Sequence, residues 1–148
     1  MERRDLLKTA AAAVAGALSA SAMAAGQHDH HHDHGSGPSR NAALIAASSD
    51  CLKTGEACLA HCIYLLGNGD TSMAACAQSV NELLASCTAL MKLAGQDSRY
   101  VPALAKVAAQ ICENCEKACR KHADHHAECK ACADSCAACL KECRKLAA

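Results

Sequence analysis

The chain has 148 residues, with 15 basic side chains, 15 acidic side chains and nine histidines, so its formal net charge is zero. That balance gives no electrostatic reason to expect nucleic acid or an anionic lipid surface as a partner. Thirteen cysteines stand beside two tyrosines and no phenylalanine or tryptophan, which excludes an aromatic core and leaves Ala, Leu, Val, Ile and Cys to build one.

Arg3-Arg4 and Lys8 precede an alanine-rich apolar run from Ala10 to Ala20 and then Ala22-Met23-Ala24, a small-x-small pattern of the kind signal peptidase cuts. Residues 1–24 therefore read as a signal peptide. The pair Arg3-Arg4 with Asp5-Leu6-Leu7-Lys8 resembles the twin-arginine export signal, with Glu2 where Ser or Thr is usual and Leu6 where Phe is usual. The expectation is export of an already folded chain to the periplasm, with no membrane anchorage after cleavage. A retained anchor is the competing reading, but the run is short of the roughly twenty apolar residues a span needs. Without residues 1–24 the chain keeps 12 basic and 13 acidic side chains.

Residues 25–39 are mostly Gly, His, Asp, Ser and Pro without apolar periodicity, the composition of a disordered tail. His28, His30, His31, His32 and His34 alternate there with Asp29 and Asp33. Such tracts bind divalent ions without much discrimination, so metal capture and plain solvation both stay open for them.

From residue 40 onward the pattern is helical. Leu44, Ser48, Cys51, Gly55, Cys58, Cys62 and Leu65 share one face of a first helix. Gly67-Asn68-Gly69-Asp70 ends it, with Asp70 or Thr71 available to cap the next. A second helix from about Ser72 to Leu93 turns Met73, Cys76, Val80, Leu83, Cys87 and Leu90 inward, with Gly95 as its C-cap. Ser98 is placed to cap a third, in which Pro102 falls in the first turn, where a missing N–H costs nothing. Its inward set is Val101, Leu104, Ala108, Ile111, Cys115 and Cys119, with Cys112 on the same seam. A continuous helix from there to Leu146 would leave half its seam unpartnered, so a bend is expected near His122 to His126. The fourth helix then carries Cys129, Cys132, Cys136, Cys139 and Cys143 in alternating three- and four-residue steps, which keep five thiols on one face.

Four helices with short connections favour an all-α, antiparallel up-down-up-down four-helix bundle over residues 40–148 with a cysteine-lined core. One end then collects His61, Cys62, Met73, Cys76, His122, His125, His126 and Cys129. The other collects Leu44, Ile45, Leu90, Met91, Val101, Leu104 and Leu146, with neither Cys nor His. Asn81, Glu82 and Asn114 read as surface residues.

Cysteine packs as a small hydrophobe, which accounts for a few of these positions and not for all of them in an exported chain exposed to oxidant. A disulfide-stapled bundle is a second reading, opposed by the odd count and by the parallel Cβ vectors of thiols on one helical face. Zinc and iron–sulfur sites are a third, but they use separated ligands on turns, and Cys129-x-x-Cys132 sits inside an unbroken helical run. Cu(I) fits best: thiolates select this soft ion, and each bound ion displaces a thiol proton, so many ions can share an apolar interior without accumulating charge. An exported thiol redox protein using pairs such as Cys112 and Cys115 is the competing class. No nucleophile with an orienting base and no phosphate loop is evident, so no catalytic residue is assigned.

The stretch from Cys129 through Lys130-Ala131-Cys132-Ala133-Asp134-Ser135-Cys136-Ala137-Ala138-Cys139-Leu140-Lys141-Glu142 to Cys143, with the twin-arginine-like leader, resembles the bacterial copper storage proteins, their exported branch in particular. The resemblance spans nearly the whole chain after the leader. It implies a four-helix bundle that holds many Cu(I) ions on core cysteines, assembles as a homotetramer, and admits metal at an end bearing Met and His. His61 and Met73 match that portal, and His122, His125 and His126 lie at the same end; a solvated or, for Met73, a core role is the competing reading of each. Storage for copper-dependent enzymes, buffering of copper toxicity, and exchange with copper donor or acceptor proteins are implied in the same way.

Overall fold

The computed structural model describes residues 39–146; the signal peptide expected over residues 1–24 and the histidines at 28–34 lie outside the described residues. Four α-helices follow in order: α1 (Ala42–Gly67), α2 (Ala74–Gly95), α3 (Val101–Arg120) and α4 (Ala127–Leu146), with a 3-10 turn, Thr71–Met73, ahead of α2. Among the described residues there is no strand. Among these residues no helix is long and apolar enough to cross a membrane.

The helix ends follow from local chemistry. At the end of α1 the Asp70 N–H donates to Leu65 O and the Gly69 N–H to Leu66 O, both at 3.0 Å. This pairing needs a left-handed residue between helix and exit, and Gly69 supplies it at φ +92. Asp70 then accepts from the Ser72 backbone N–H at 3.0 Å, capping the 3-10 turn as the sequence predicted. The end of α2 differs from expectation. Its helix runs through Gly95, and the left-handed position falls on Asp97 at φ 47, with Ser98 N–H donating to Leu93 O and Asp97 N–H to Ala94 O. Aspartate tolerates this conformation better than most side chains, and its carboxylate is used, accepting from Asn41 Nδ2 at 3.0 Å. Ser98 caps the approach to α3 by accepting the Tyr100 N–H at 3.3 Å. The bend expected between α3 and α4 occupies residues 121–126.

Each helix packs against two neighbours in the cycle α1, α2, α3, α4, while the diagonal pairs stay further apart than 8 Å between Cα atoms. The centre therefore belongs to side chains. Antiparallel register is visible between α1 and α4, where Ser48 meets Cys139, Cys58 meets Cys129 and His61 meets His126: numbers rise on one helix as they fall on the other. Gly55 lets α2 come close, since a Cβ there would lie 2.9 Å from Leu84 Cδ2.

The buried set of α2 contains every inward residue expected, together with Leu84, Ser86 and Ala94. On α3 the face is rotated relative to expectation. Cys112 is fully buried as expected and Ala105 joins it, whereas Leu104 and Ile111, expected inward, only pack partly against the core. On this helix the small side chains take the centre, while Leu104 and Ile111 pack beside the core cluster. Asn81, Glu82 and Asn114 are exposed as expected. Exposed ion pairs, Arg120–Asp134 at 2.7 Å and Arg144–Glu113 at 3.3 Å, cross from α3 to α4; solvent screening leaves them little weight in stability.

Candidate metal centre

All thirteen cysteines are free and buried, none more than 1% exposed. Their helical seams converge on the space the diagonal helices leave open. Within a helix, Cys115 and Cys119, and Cys139 and Cys143, bring their sulfurs to 3.9 Å. Between helices the approaches are Cys76 to Cys119 at 3.5 Å, Cys58 to Cys129 at 3.7 Å and Cys115 to Cys132 at 4.0 Å. These seams join all four helices.

Four groups have all their sulfurs within 4.8 Å of one another: Cys51, Cys87, Cys112 and Cys139; Cys58, Cys62, Cys76 and Cys129; Cys58, Cys119 and Cys132; Cys115, Cys132 and Cys136. That limit is about twice a metal–thiolate bond of roughly 2.3 Å, so any two members can hold one ion between them. Cys58 and Cys132 each belong to two groups. Sharing of this kind suits bridging thiolates and soft ions of low coordination number.

The thiols do not titrate alike. Hydrogen bonds from Cys112 and Cys136 hold Cys51 down to about 5. Cys119, Cys132 and Cys76 hold Cys58 well below the ordinary thiol range. Cys119, Cys132 and Cys136 do the same for Cys115, as do Cys112, Cys143, Cys51 and Cys87 for Cys139. Burial first, then the charge on Cys58, pushes Cys62 and Cys129 up. Every group therefore contains at least one thiol favoured as thiolate, with neighbouring S–H groups donating to it. A cation entering the group replaces those protons.

At one end the column meets imidazole. His61 Nε2 lies 2.9 Å from His126 Nδ1, and the His122 ring is 6.3 Å from that of His126. His61 Nδ1 is 3.8 Å from Glu128 Oε2. Met73 is fully buried in the 3-10 turn at the same end. His125 is exposed and stands outside this contact set. At the other end Leu44, Leu90, Ala94 and Val101 close the interior, and Asn41 ties the start of α1 to α2 by donating to Ala94 O at 3.2 Å.

Sequence reasoning missed two polar neighbours of the thiols and one of the imidazoles. Ser135 accepts a hydrogen bond from the Cys51 thiol on its carbonyl at 3.3 Å, Ser48 Oγ lies 3.9 Å from Cys139 Sγ, and Glu128 faces His61. Only Ser48 carried a signal, its place on the inward seam of α1.

A bundle whose interior is a column of shared, free thiols with an imidazole-bearing mouth is a thiolate metal-binding protein by class. Residues 37–148 match the family described as Csp, copper storage protein, and the chain belongs to that family. It is 32% identical over 106 residues to an uncharacterized cysteine-rich protein, YhjQ, of Bacillus subtilis, covering 72% of this chain and 94% of that one. Among solved structures it resembles the apo copper storage protein Csp3 of Bacillus subtilis, with TM-score 0.64, 31% identity, and 73% of this chain and 99% of that one covered. The Cu(I)-bound copper storage protein BsCsp3 is similar at TM-score 0.65 and 30% identity, with 73% and 98% covered. The copper storage protein Ccsp of Streptomyces lividans, solved with 10 copper equivalents, shares the fold at 24% identity and TM-score 0.65, with 72% and 82% covered.

Proposed function

We propose that this protein stores Cu(I), several ions per chain, on Cys51, Cys58, Cys62, Cys76, Cys87, Cys112, Cys115, Cys119, Cys129, Cys132, Cys136, Cys139 and Cys143. The observation that carries the reading is the sharing of Cys58 and Cys132 between groups of sulfurs. Where thiolates bridge, one univalent ion per thiolate leaves the interior neutral. Zinc on four thiolates would bury two negative charges per site, which burial strongly disfavours. Binding of copper to the BsCsp3 relative supports the same cargo.

Metal is admitted at the end bearing His61, Met73, His122 and His126, with His125 on its outer surface. Imidazole nitrogen hands the ion to softer sulfur, so affinity increases inward. The leader-like residues 1–24 support export by the twin-arginine route to the periplasm, and the family resemblance supports a homotetramer; fractionation of the producing cell and sedimentation equilibrium test these two. The stored ion serves copper-dependent enzymes of that compartment and is kept from harmful redox chemistry meanwhile. The role is storage, not catalysis.

Anaerobic titration of the reduced apo-protein with Cu(I) against a competing chelator tests the reading. Saturation should approach one ion per thiol, whereas a redox module would saturate at about one or two. Replacing Cys58, Cys76, Cys115 and Cys132 together with Ala should lower capacity in proportion while far-UV circular dichroism stays helical.

A further inference from the structure

The thiol column is divided along its length. Cys58 joins the group nearest the mouth to Cys119 and Cys132, and Cys132 joins these to Cys115 and Cys136, so eight sulfurs on the mouth side form one connected set. The group of Cys51, Cys87, Cys112 and Cys139 shares no member with the others. Cys143 adds to it through Cys139 at 3.9 Å.

This deeper set of five has no outlet of its own among the described residues. Leu44, Leu90, Ala94 and Val101, at most 3% exposed, fill the far end, and no deep sulfur reaches solvent sideways. An ion held there arrives and leaves through the mouth-side set. The crossing is narrow because α2 offers only hydrocarbon at that depth, with Val80, Leu83 and Leu84 between Cys76 and Cys87, and α1 offers Gly55 between Cys51 and Cys58.

One side chain bridges the gap. Cys51 Sγ lies 3.3 Å from the carbonyl oxygen of Ser135, and the antiparallel register sets the next residue, Cys136, at the depth of Cys51. Cys136 also belongs to the innermost mouth-side group with Cys115 and Cys132.

We infer that Cys136 is the relay thiol through which Cu(I) passes between a mouth-side pool on eight cysteines and a deep pool on five. The inference rests on the storage reading. Each transfer is a ligand exchange with copper staying Cu(I) throughout: a Cu–S bond forms to Cys136 as one to Cys115 or Cys132 breaks, the Cys136 proton passing to the freed thiolate, and a bond then forms to Cys51 as that to Cys136 breaks, any Cys51 proton passing back to Cys136. The deep pool accordingly fills last and empties last.

The test compares Cys136→Ser with Cys143→Ser. Each removes one thiol and leaves a hydroxyl of similar size that binds Cu(I) poorly, but only the first sits at the crossing. Reduced protein is loaded anaerobically with Cu(I), and extraction by excess bathocuproine disulfonate is followed by its absorbance. Cys143→Ser, which removes a ligand of the deep pool itself, should lower the amplitude without adding a slow phase. Cys136→Ser should show a separate slow phase in loading and extraction, about tenfold slower, with the amplitude of the deep pool. Superimposable traces for the two folded variants would overturn the relay. If circular dichroism shows Cys136→Ser unfolded, Cys136→Ala enters the same comparison. Wild-type protein that saturates at about one or two ions overturns the storage reading itself, a result distinct from superimposed traces at high capacity.

Discussion

His61 Nε2 and His126 Nδ1 stand 2.9 Å apart, fastening the last turns of α1 to the residue that leads into α4. Three residues inward on each helix, the sulfurs of Cys58 and Cys129 lie 3.7 Å apart. The same two helices thus present nitrogen and then sulfur in successive rungs.

Replacing His61 and His126 together with Ala should slow Cu(I) uptake by about tenfold with no change in final stoichiometry. Anaerobic stopped-flow mixing followed in the thiolate-to-copper absorption band reads both quantities. Uptake at the wild-type rate would place admission elsewhere.

Gly55 is buried on the inward seam, where a methyl group in place of its hydrogen would meet Leu84 Cδ2 at 2.9 Å and Val80 Cγ1 at 3.6 Å. Alanine gains about 1 kcal/mol of helix propensity against a contact that the flexible end of Leu84 can relieve. Gly55→Ala should therefore change apo stability by less than about 1 kcal/mol. Gly55→Val should lower it by about 1–3 kcal/mol through overpacking. Chemical denaturation of the reduced apo-protein separates the two.

Asn41, only 7% exposed, donates to Ala94 O and to the Asp97 carboxylate at the closed end. Asn41→Ala leaves the Ala94 carbonyl and Asp97 without that partner and should cost about 1–3 kcal/mol. Copper capacity should not change, since no thiol is near this latch. A parallel loss of capacity would mean that closure of this end helps hold the deep sulfurs in place.

The thiols give apo stability a defined pH dependence. Cys112 donates to the Cys143 thiol, yet Cys139 and burial prevail and push it up to about 12 from an ordinary value near 9. The folded chain keeps that proton where the unfolded chain releases it. Its contribution is complete below about pH 9 and is lost as pH rises toward 12. Cys62 and Cys129, raised by burial, act in the same sense. Cys51, held down to about 5, acts oppositely, its contribution complete above about pH 9 and lost as pH falls toward 5. Apo melting followed by circular dichroism should decline from pH 9 toward 12. Cu(I)-loaded protein, its thiol protons already displaced, should decline much less; an equal decline would argue against these cysteines as ligands.

Several features are legible in the residues alone. The inward faces of α1, α2 and α4, the stop at residues 67–70 and the bend at 121–126 follow from spacing and turn chemistry, which act within a few residues. Spacing misplaces Leu104 and Ile111 because periodicity sets a face only to within one position. The crowding of thiols and alanines at the centre then settles the rotation in favour of Ala105, beside Cys112. Gly95 reads as a cap because glycine is the commonest left-handed residue, whereas Asp97 takes that position with Asn41 on its carboxylate, a partner 56 residues away in the chain.

Sequence by itself determined that thirteen thiols lie on the inner seams of four helices, because a helix repeats its face every 3.6 residues whatever it packs against. Only the tertiary structure decided which sulfurs meet: that Cys58 and Cys132 are shared, that Cys136 adjoins Cys51, and that His61 faces His126. Those pairings depend on how far each antiparallel helix is slid along its neighbours, a quantity fixed by packing between helices and absent from the spacing within any one of them.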